Sequence, residues 1–234
     1  ETLLKLNYNV YGIDNINNYY DVKIKERNLK LLEVYSNFTF FKEDIRSTKK
    51  IQEIKPDLVC HLAAMAGVRN SILNPYIYFD TNVNGFINIL EQCVKVNVKK
   101  LVFASSSSVY GLNKKIPFSE TDEIKSCNSP YACSKLTTEN LAKTYFQLYK
   151  FPSIGLRFFT VYGPRGRPDM APHKFLDSIY RGKELTKYGS GESKRDYTYI
   201  DDIISGIIGS IERKEKDFQI YNLGNNQTVS LNQF

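Results

Sequence analysis

The chain has 234 residues, 42% of them hydrophobic and 24% charged, enough for one sizeable core or for one domain and part of another. No apolar run approaches the roughly 18 to 20 residues that span a bilayer, and no basic-then-apolar leader opens the chain, so no membrane role is expected and the cytoplasm is the expected location. The formal charge of +7 comes from 32 Lys and Arg interleaved with 25 Asp and Glu along helical segments, which argues against a nucleic-acid partner and suits an anionic small substrate.

Short runs rich in β-branched and aromatic residues predict strands at 10–13, 38–41, 58–62, 100–105 and 153–159. Helical periodicity predicts helices between them at 22–35, 48–54, 79–96 and 131–149. This alternation argues for an α/β fold, a doubly wound parallel sheet of Rossmann type covered on both faces. After Gly163 the texture changes, with Pro164, Gly166, Pro168 and Pro172 in close order, a helix near 175–181, and short strands near 185–188 and 196–200. Residues 1–163 are therefore expected to form the dinucleotide-binding domain. Residues 164–234 are expected to form a smaller substrate-binding region interleaved with late sheet elements. The sequence opens inside what reads as a helix and stops where another begins, so both parts are expected to be incomplete.

Cys60, Cys93, Cys127 and Cys133 show no C-x-x-C spacing, and His61 and His173 are the only histidines, so neither a disulfide framework nor a metal site is expected. Asp14 follows the first strand, where an acidic residue accepts from adenosine ribose hydroxyls in dinucleotide-binding folds; a turn or helix-cap aspartate is the plainer alternative. Tyr131 and Lys135, four apart on a helix, share one face, so the ammonium can lie near the phenol, favour phenolate and make the tyrosine a base. Alone, that spacing occurs by chance. It gains weight from the serine run 105–108 at the end of a strand, where hydroxyls of a parallel sheet face the ligand crevice.

These segments, DLVCHLAA, SSSSVYG, YACSK, RFFTVYGPRGRPDMAP and RDYTYIDDI, occur in order and resemble the extended short-chain dehydrogenase/reductase family of nucleotide-sugar epimerases and dehydratases. Within it the likeness is greatest to the UDP-glucuronate 4-epimerases. It covers essentially the whole chain, which is expected to lack the family's first strand with its Gly-rich loop and much of its C-terminal substrate region.

The resemblance implies NAD as a tightly held cofactor and a UDP-sugar as substrate. It implies that Tyr131 is the base, that Lys135 lowers its pKa and holds the nicotinamide ribose, and that Ser106 is the hydroxyl partner. By the same likeness Asp14 contacts adenosine ribose, Asp44 and Ile45 flank the adenine, and Ala63, Ala64 and Asn82 line the cofactor path. Homodimers are common in such relatives, although no interface is legible in the sequence. His61 is a strand-end residue with no catalytic part.

Where dehydratases of this family resemble Asp-Glu after the catalytic hydroxyl, this chain has Ser107 and Ser108, which cannot serve as the carboxyl acid or base of an elimination. Epimerisation is the favoured reaction. Ser107, Ser108, Thr160 and Arg167 are candidates to hold a sugar carboxylate, and Arg195 resembles the arginine that contacts the diphosphate. Arg69 is a further candidate. The plainer alternatives are a loop arginine pairing with Asp169 for Arg167 and a solvent-facing strand residue for Arg195. Three outcomes are thus distinguished: a UDP-glucuronate 4-epimerase, an epimerase of UDP-glucose or UDP-N-acetylglucosamine, and a non-catalytic nucleotide- or RNA-binding relative.

Overall fold

The structure, a computed structural model, describes residues 1–185, 187 and 189–234. Its contacts divide the chain into two compact units: Glu1–Lys42 with Thr160–Ile204 and Asn225–Phe234, and Glu43–Phe159 with Ser205–Gly224.

The second unit carries a four-stranded sheet of β3 (Leu58–His61), β4 (Lys100–Ser106), β5 (Ser153–Phe158) and β8 (Phe218–Leu223), in that order and parallel throughout. Alternation along β4 assigns its two faces. Leu101 and Phe103 enter a core with Phe86, Ile89 and Leu90 of α6 (Gly85–Lys95) and Ala142 of α7 (Pro130–Tyr149). On the other face Lys100 reaches the carbonyls of Ser210, Ile211 and Arg213, which end α9 (Ile200–Glu212), and so caps that helix with a cation where its dipole is negative. Parallel strands with helices on both faces make a Rossmann-like α/β sheet, as the alternation in the sequence predicts.

The helix expected over 79–96 is interrupted. α5 (Pro75–Phe79) passes into one π-helical turn, Asp80–Asn84, before α6 begins. The extra residue turns Asn82 inward, where it is 2% exposed and bonded on both sides to the backbone of Met65. A short helix that the sequence did not suggest, α4 (Val68–Leu73), follows the loop after β3, and α3 (Lys50–Ile54) precedes it. α7 begins one residue earlier than expected because Ser129 caps it, accepting from the Ala132 N–H at 3.1 Å, with Pro130 at the first helical position.

In the first unit, β1 (Val10–Ile13) and β2 (Phe38–Phe41) pair in parallel across α2 (Val22–Glu33), which starts on an Asp21 cap. The short α1 (Thr2–Lys5) precedes them, and Asn37 ties it down by donating to the carbonyls of Leu4 and Tyr8. A second sheet joins β6 (Thr160–Tyr162) in parallel to β7 (Lys194–Tyr199), and β7 antiparallel to β9 (Thr228–Ser230). The helix expected near 175–181 is α8 (Ala171–Tyr180). The strand expected near 185–188 falls partly on residues 186 and 188, outside the described residues.

Candidate active site

The serine run bridges the end of β4 and a 3-10 turn over Ser107–Tyr110. Ser106 is 8% exposed, and its Oγ accepts from the Ser108 N–H at 3.2 Å, so the hydroxyl caps the turn and keeps its own proton to donate. Ser107 and Ser108 are half-buried on the turn itself. Ser105 points to the opposite face of the strand and donates to Glu139 Oε1 of α7.

α7 presents Tyr131 and Lys135 one turn apart. Tyr131 is half-buried, with its ring edge-on to Tyr78 at 6.2 Å and 79°. Lys135 is buried, and its Nζ donates to the carbonyl of Ala104 at 2.7 Å, two residues before Ser106. That bond joins the helix of Tyr131 to the strand of Ser106, so the three expected catalytic residues lie on two elements tied at one point.

Burial pushes the Lys135 ammonium down from 10.5 to about 8, with the Glu139 carboxylate working against it. The group therefore stays charged at neutral pH. His61, on β3, packs on Phe86 at 5.3 Å; burial first, and the charge of Lys135 second, hold its imidazole down at about 3, so it is neutral there. The unfolded chain binds the lysine proton more tightly than the folded one. Lys135 thus subtracts stability at every pH below about 8, and the deficit shrinks as pH rises from 8 toward 10.5. The stability change on Lys135→Met is expected to be more favourable at pH 7 than at pH 9.5. Chemical denaturation at the two pH values reads the difference, and equal changes at both contradict it.

The expected cofactor residues divide between the units. In the first, Asp14 is exposed at the end of β1, with Oδ1 accepting from the Ile16 N–H at 2.6 Å. In the second, Ala63 and Ala64 lie half-buried in the loop after β3, and Asn82 fixes that loop by accepting from Met65 N–H and donating to Met65 C=O and Ser134 Oγ. Asn82 is saturated by protein, so it shapes the loop and has no amide hydrogen left to give. Asp44 spends both carboxylate oxygens on Arg46, which also pairs with Asp80 at 2.5 Å. Ile45 is 7% exposed within the hydrophobic core, which leaves its backbone as the part able to meet a ligand.

By chemistry these residues fit a dinucleotide: in the first unit an exposed carboxylate suited to ribose hydroxyls, and in the second an ammonium with hydrogens beyond the one given to Ala104 and a loop of small side chains. Among the described residues no group of three or more His, Cys, Asp or Glu is placed to hold a metal, and no helix is long and apolar enough to cross a membrane.

Arg69 lies on α4 in the second unit, and the other remaining candidates belong to the first. Arg167 makes a two-point pair with Asp169, at 2.9 and 2.6 Å, and stacks over Tyr19 at 5.5 Å. Thr160 is half-buried on β6, and Arg195 is an exposed residue of β7 that donates to the Lys194 carbonyl.

A buried network around the serine turn has no counterpart among the sequence expectations. Glu139 makes a two-point ion pair with Arg157 of β5, at 2.9 and 2.8 Å, and both side chains are 5% exposed. Arg157 Nη1 donates to the hydroxyl of Tyr110 at 2.9 Å, and Tyr110 passes the chain on to Asn222 Oδ1 at 2.7 Å. The available signal was the i, i+4, i+8 row of Tyr131, Lys135 and Glu139 on one helix face.

The Rossmann-like sheet, with a tyrosine and lysine on the helix beside a serine-tipped strand, defines a protein of the short-chain dehydrogenase/reductase type. The chain belongs to the NAD-dependent epimerase/dehydratase family, whose match runs over residues 1–224. It is accordingly an NAD-dependent enzyme.

It is 42% identical over 238 residues to the UDP-glucuronate 4-epimerase of Thermodesulfobacterium geofontis, covering 100% of this chain and 73% of that one. Among solved structures, UDP-glucuronic acid 4-epimerase from Bacillus cereus, in complex with UDP-glucuronic acid and NAD, superposes with a TM-score of 0.93 at 37% identity, over 99% of this chain and 74% of that one. UDP-glucose 4-epimerase from Thermotoga maritima, with UDP-glucose, gives 0.88 at 31% identity over the same shares of 99% and 74%.

Proposed function

We propose that this nucleotide-sugar 4-epimerase interconverts UDP-glucuronate and UDP-galacturonate through a 4-keto sugar. The observation that carries the reading is the serine turn. Ser106 offers a hydroxyl beside the Tyr131–Lys135 helix, while Ser107 and Ser108 supply no carboxyl for elimination. The likeness to the UDP-glucuronate 4-epimerases of Bacillus cereus and Thermodesulfobacterium geofontis supports the choice of sugar.

In this reading Tyr131, as phenolate, takes the proton of the sugar 4-hydroxyl and returns it after the ring has turned over. The Lys135 ammonium, held at Ala104 C=O, stabilises the phenolate and would donate to a ribose hydroxyl of a bound cofactor. Ser106, accepting from Ser108 N–H, donates its proton to the reacting oxygen. Asp14, Lys135 and the loop of Ala63 and Ala64 would hold NAD, which would supply a reversible hydride acceptor.

The 4-keto uronate is a β-keto acid that loses carbon dioxide when its carboxylate aligns with the carbonyl π-system. Hydroxyl contacts from Ser107, Ser108 and Thr160 keep it hydrogen-bonded and in plane. Arg195 is assigned to the diphosphate.

The pairing of Arg167 with Asp169 favours a second reading. If that guanidinium stays with Asp169, the substrate has no carboxylate to offer it, and a neutral sugar such as UDP-glucose or UDP-N-acetylglucosamine becomes the substrate. Rate comparison on UDP-glucuronate, UDP-glucose and UDP-N-acetylglucosamine with the full-length enzyme separates the two. The first reading predicts that UDP-glucuronate is turned over at least tenfold faster, about 1.4 kcal/mol of transition-state preference. Preference for a neutral sugar overturns it.

A further inference from the structure

We propose that the buried Glu139–Arg157 pair is a positioning clamp that holds the serine turn at both ends. Glu139 grips the residue before the turn's catalytic serine, accepting from Ser105 Oγ, and Arg157 grips the last residue of the turn, donating to Tyr110 OH. The inference deepens the epimerase reading and rests on Ser106 as the hydroxyl partner of Tyr131.

Every polar end of the pair is used. Glu139 Oε1 takes Arg157 Nε and the Ser105 hydroxyl, and Oε2 takes Arg157 Nη2. The guanidinium also lies 4.8 Å from the centre of the Tyr110 ring, which stacks on Phe118 at 4.5 Å and 17°. Ser105 and Arg157 are direct partners across β4 and β5, so their side chains share the face that α7 covers.

Fold stability alone gives no reason for such a pair, because an apolar pair of similar volume does as well or better in a core. What two charges add here is direction, with bonds to two hydroxyls that bracket the segment carrying Ser106, Ser107 and Ser108. Glu139 also sits one helical turn past Lys135 and two past Tyr131. One carboxylate therefore sets the serine turn against the helix that bears the base.

Charge gives the clamp a signature beyond position. The charged and titratable groups that bear on Lys135 are Glu139 on its own helix and His61 from β3, and His61 is neutral at working pH. Loss of the Glu139 charge weakens proton binding by Lys135. The limb of the activity profile set by Lys135 then moves to lower pH.

The test uses the full-length, NAD-loaded enzyme. Ser105→Ala and Tyr110→Phe each remove one arm and leave the ion pair in place. Each is expected to lower kcat about tenfold or more, with KM and NAD retention within about twofold and the pH profile in place. Amide exchange across 106–110 is expected to quicken about tenfold in both variants. Glu139→Gln is expected to lower kcat about a hundredfold and to shift the Lys135 limb of the profile down by about one pH unit.

Wild-type kcat and wild-type exchange in both single-arm variants overturn the clamp. If Glu139→Gln does not fold, those two variants decide alone. A wild-type enzyme inactive on every nucleotide sugar, combined with quickened exchange in the variants, refutes the epimerase reading and leaves the clamp standing.

Discussion

Tyr131→Phe is expected to reduce turnover of the nucleotide sugar by about a thousandfold, the scale of a general base in a proton-transfer step. The substitution removes the phenolic oxygen and keeps the ring. The edge-on packing against Tyr78 at 6.2 Å is a property of the ring, which phenylalanine keeps, and Lys135 retains its bond to Ala104. Thermal stability, NAD content and KM should therefore stay close to wild type while kcat collapses. That split separates loss of a base from loss of a fold. More than a tenth of wild-type turnover in a pure preparation would remove Tyr131 from the role assigned to it.

Arg157→Met is expected to cost about 3–5 kcal/mol of stability, because it leaves the Glu139 carboxylate buried without its counter-charge. Burial of both side chains, at 5% exposure, is what makes the effect large; exposed pairs such as Lys99 with Asp57 are worth well under 1 kcal/mol. Adding Glu139→Leu to the same chain removes the second charge and should recover most of the loss. Denaturant midpoints at constant slope measure both steps. A double variant no more stable than Arg157→Met would contradict the electrostatic account and assign the loss to packing.

The strands that position the site were legible because each is a compact apolar run bounded by turn residues. VYGI and FTFF appear as β1 and β2 with the ends expected of them, and KLVFASS extends one residue past its expected end, to Ser106. The π-helical turn was not legible. Apolar periodicity continues from Phe79 to Val96 with no break, and only the tertiary demand of the Met65 backbone for Asn82 interrupts the helix.

α9 is not among the sequence expectations, although Ile203, Ile207 and Ile211 repeat at helical spacing. β6 and β9 have three residues each and exist only through pairing with β7, which no local pattern announces.

The candidate site divides in the same way. Spacing alone brings Tyr131 and Lys135 together, and adjacency alone brings Arg167 to Asp169. Glu139 meets Ser105 across 34 positions and Arg157 across 18, a meeting that only the sheet and its covering helix create. The four serines accordingly do different work: Ser106 is proposed for the chemistry, Ser107 and Ser108 for the substrate, and Ser105 for the clamp.

The most direct test of the account is the fate of the hydrogen on the sugar's fourth carbon. UDP-glucuronate deuterated at that carbon, incubated with the full-length enzyme and followed by proton NMR, should give UDP-galacturonate that keeps its deuterium, with no pentose formed. Retention means that the hydrogen leaves as hydride and returns to the same carbon within one active site. Washout of the label into solvent, or a UDP-pentose as the main product, would contradict the central claim.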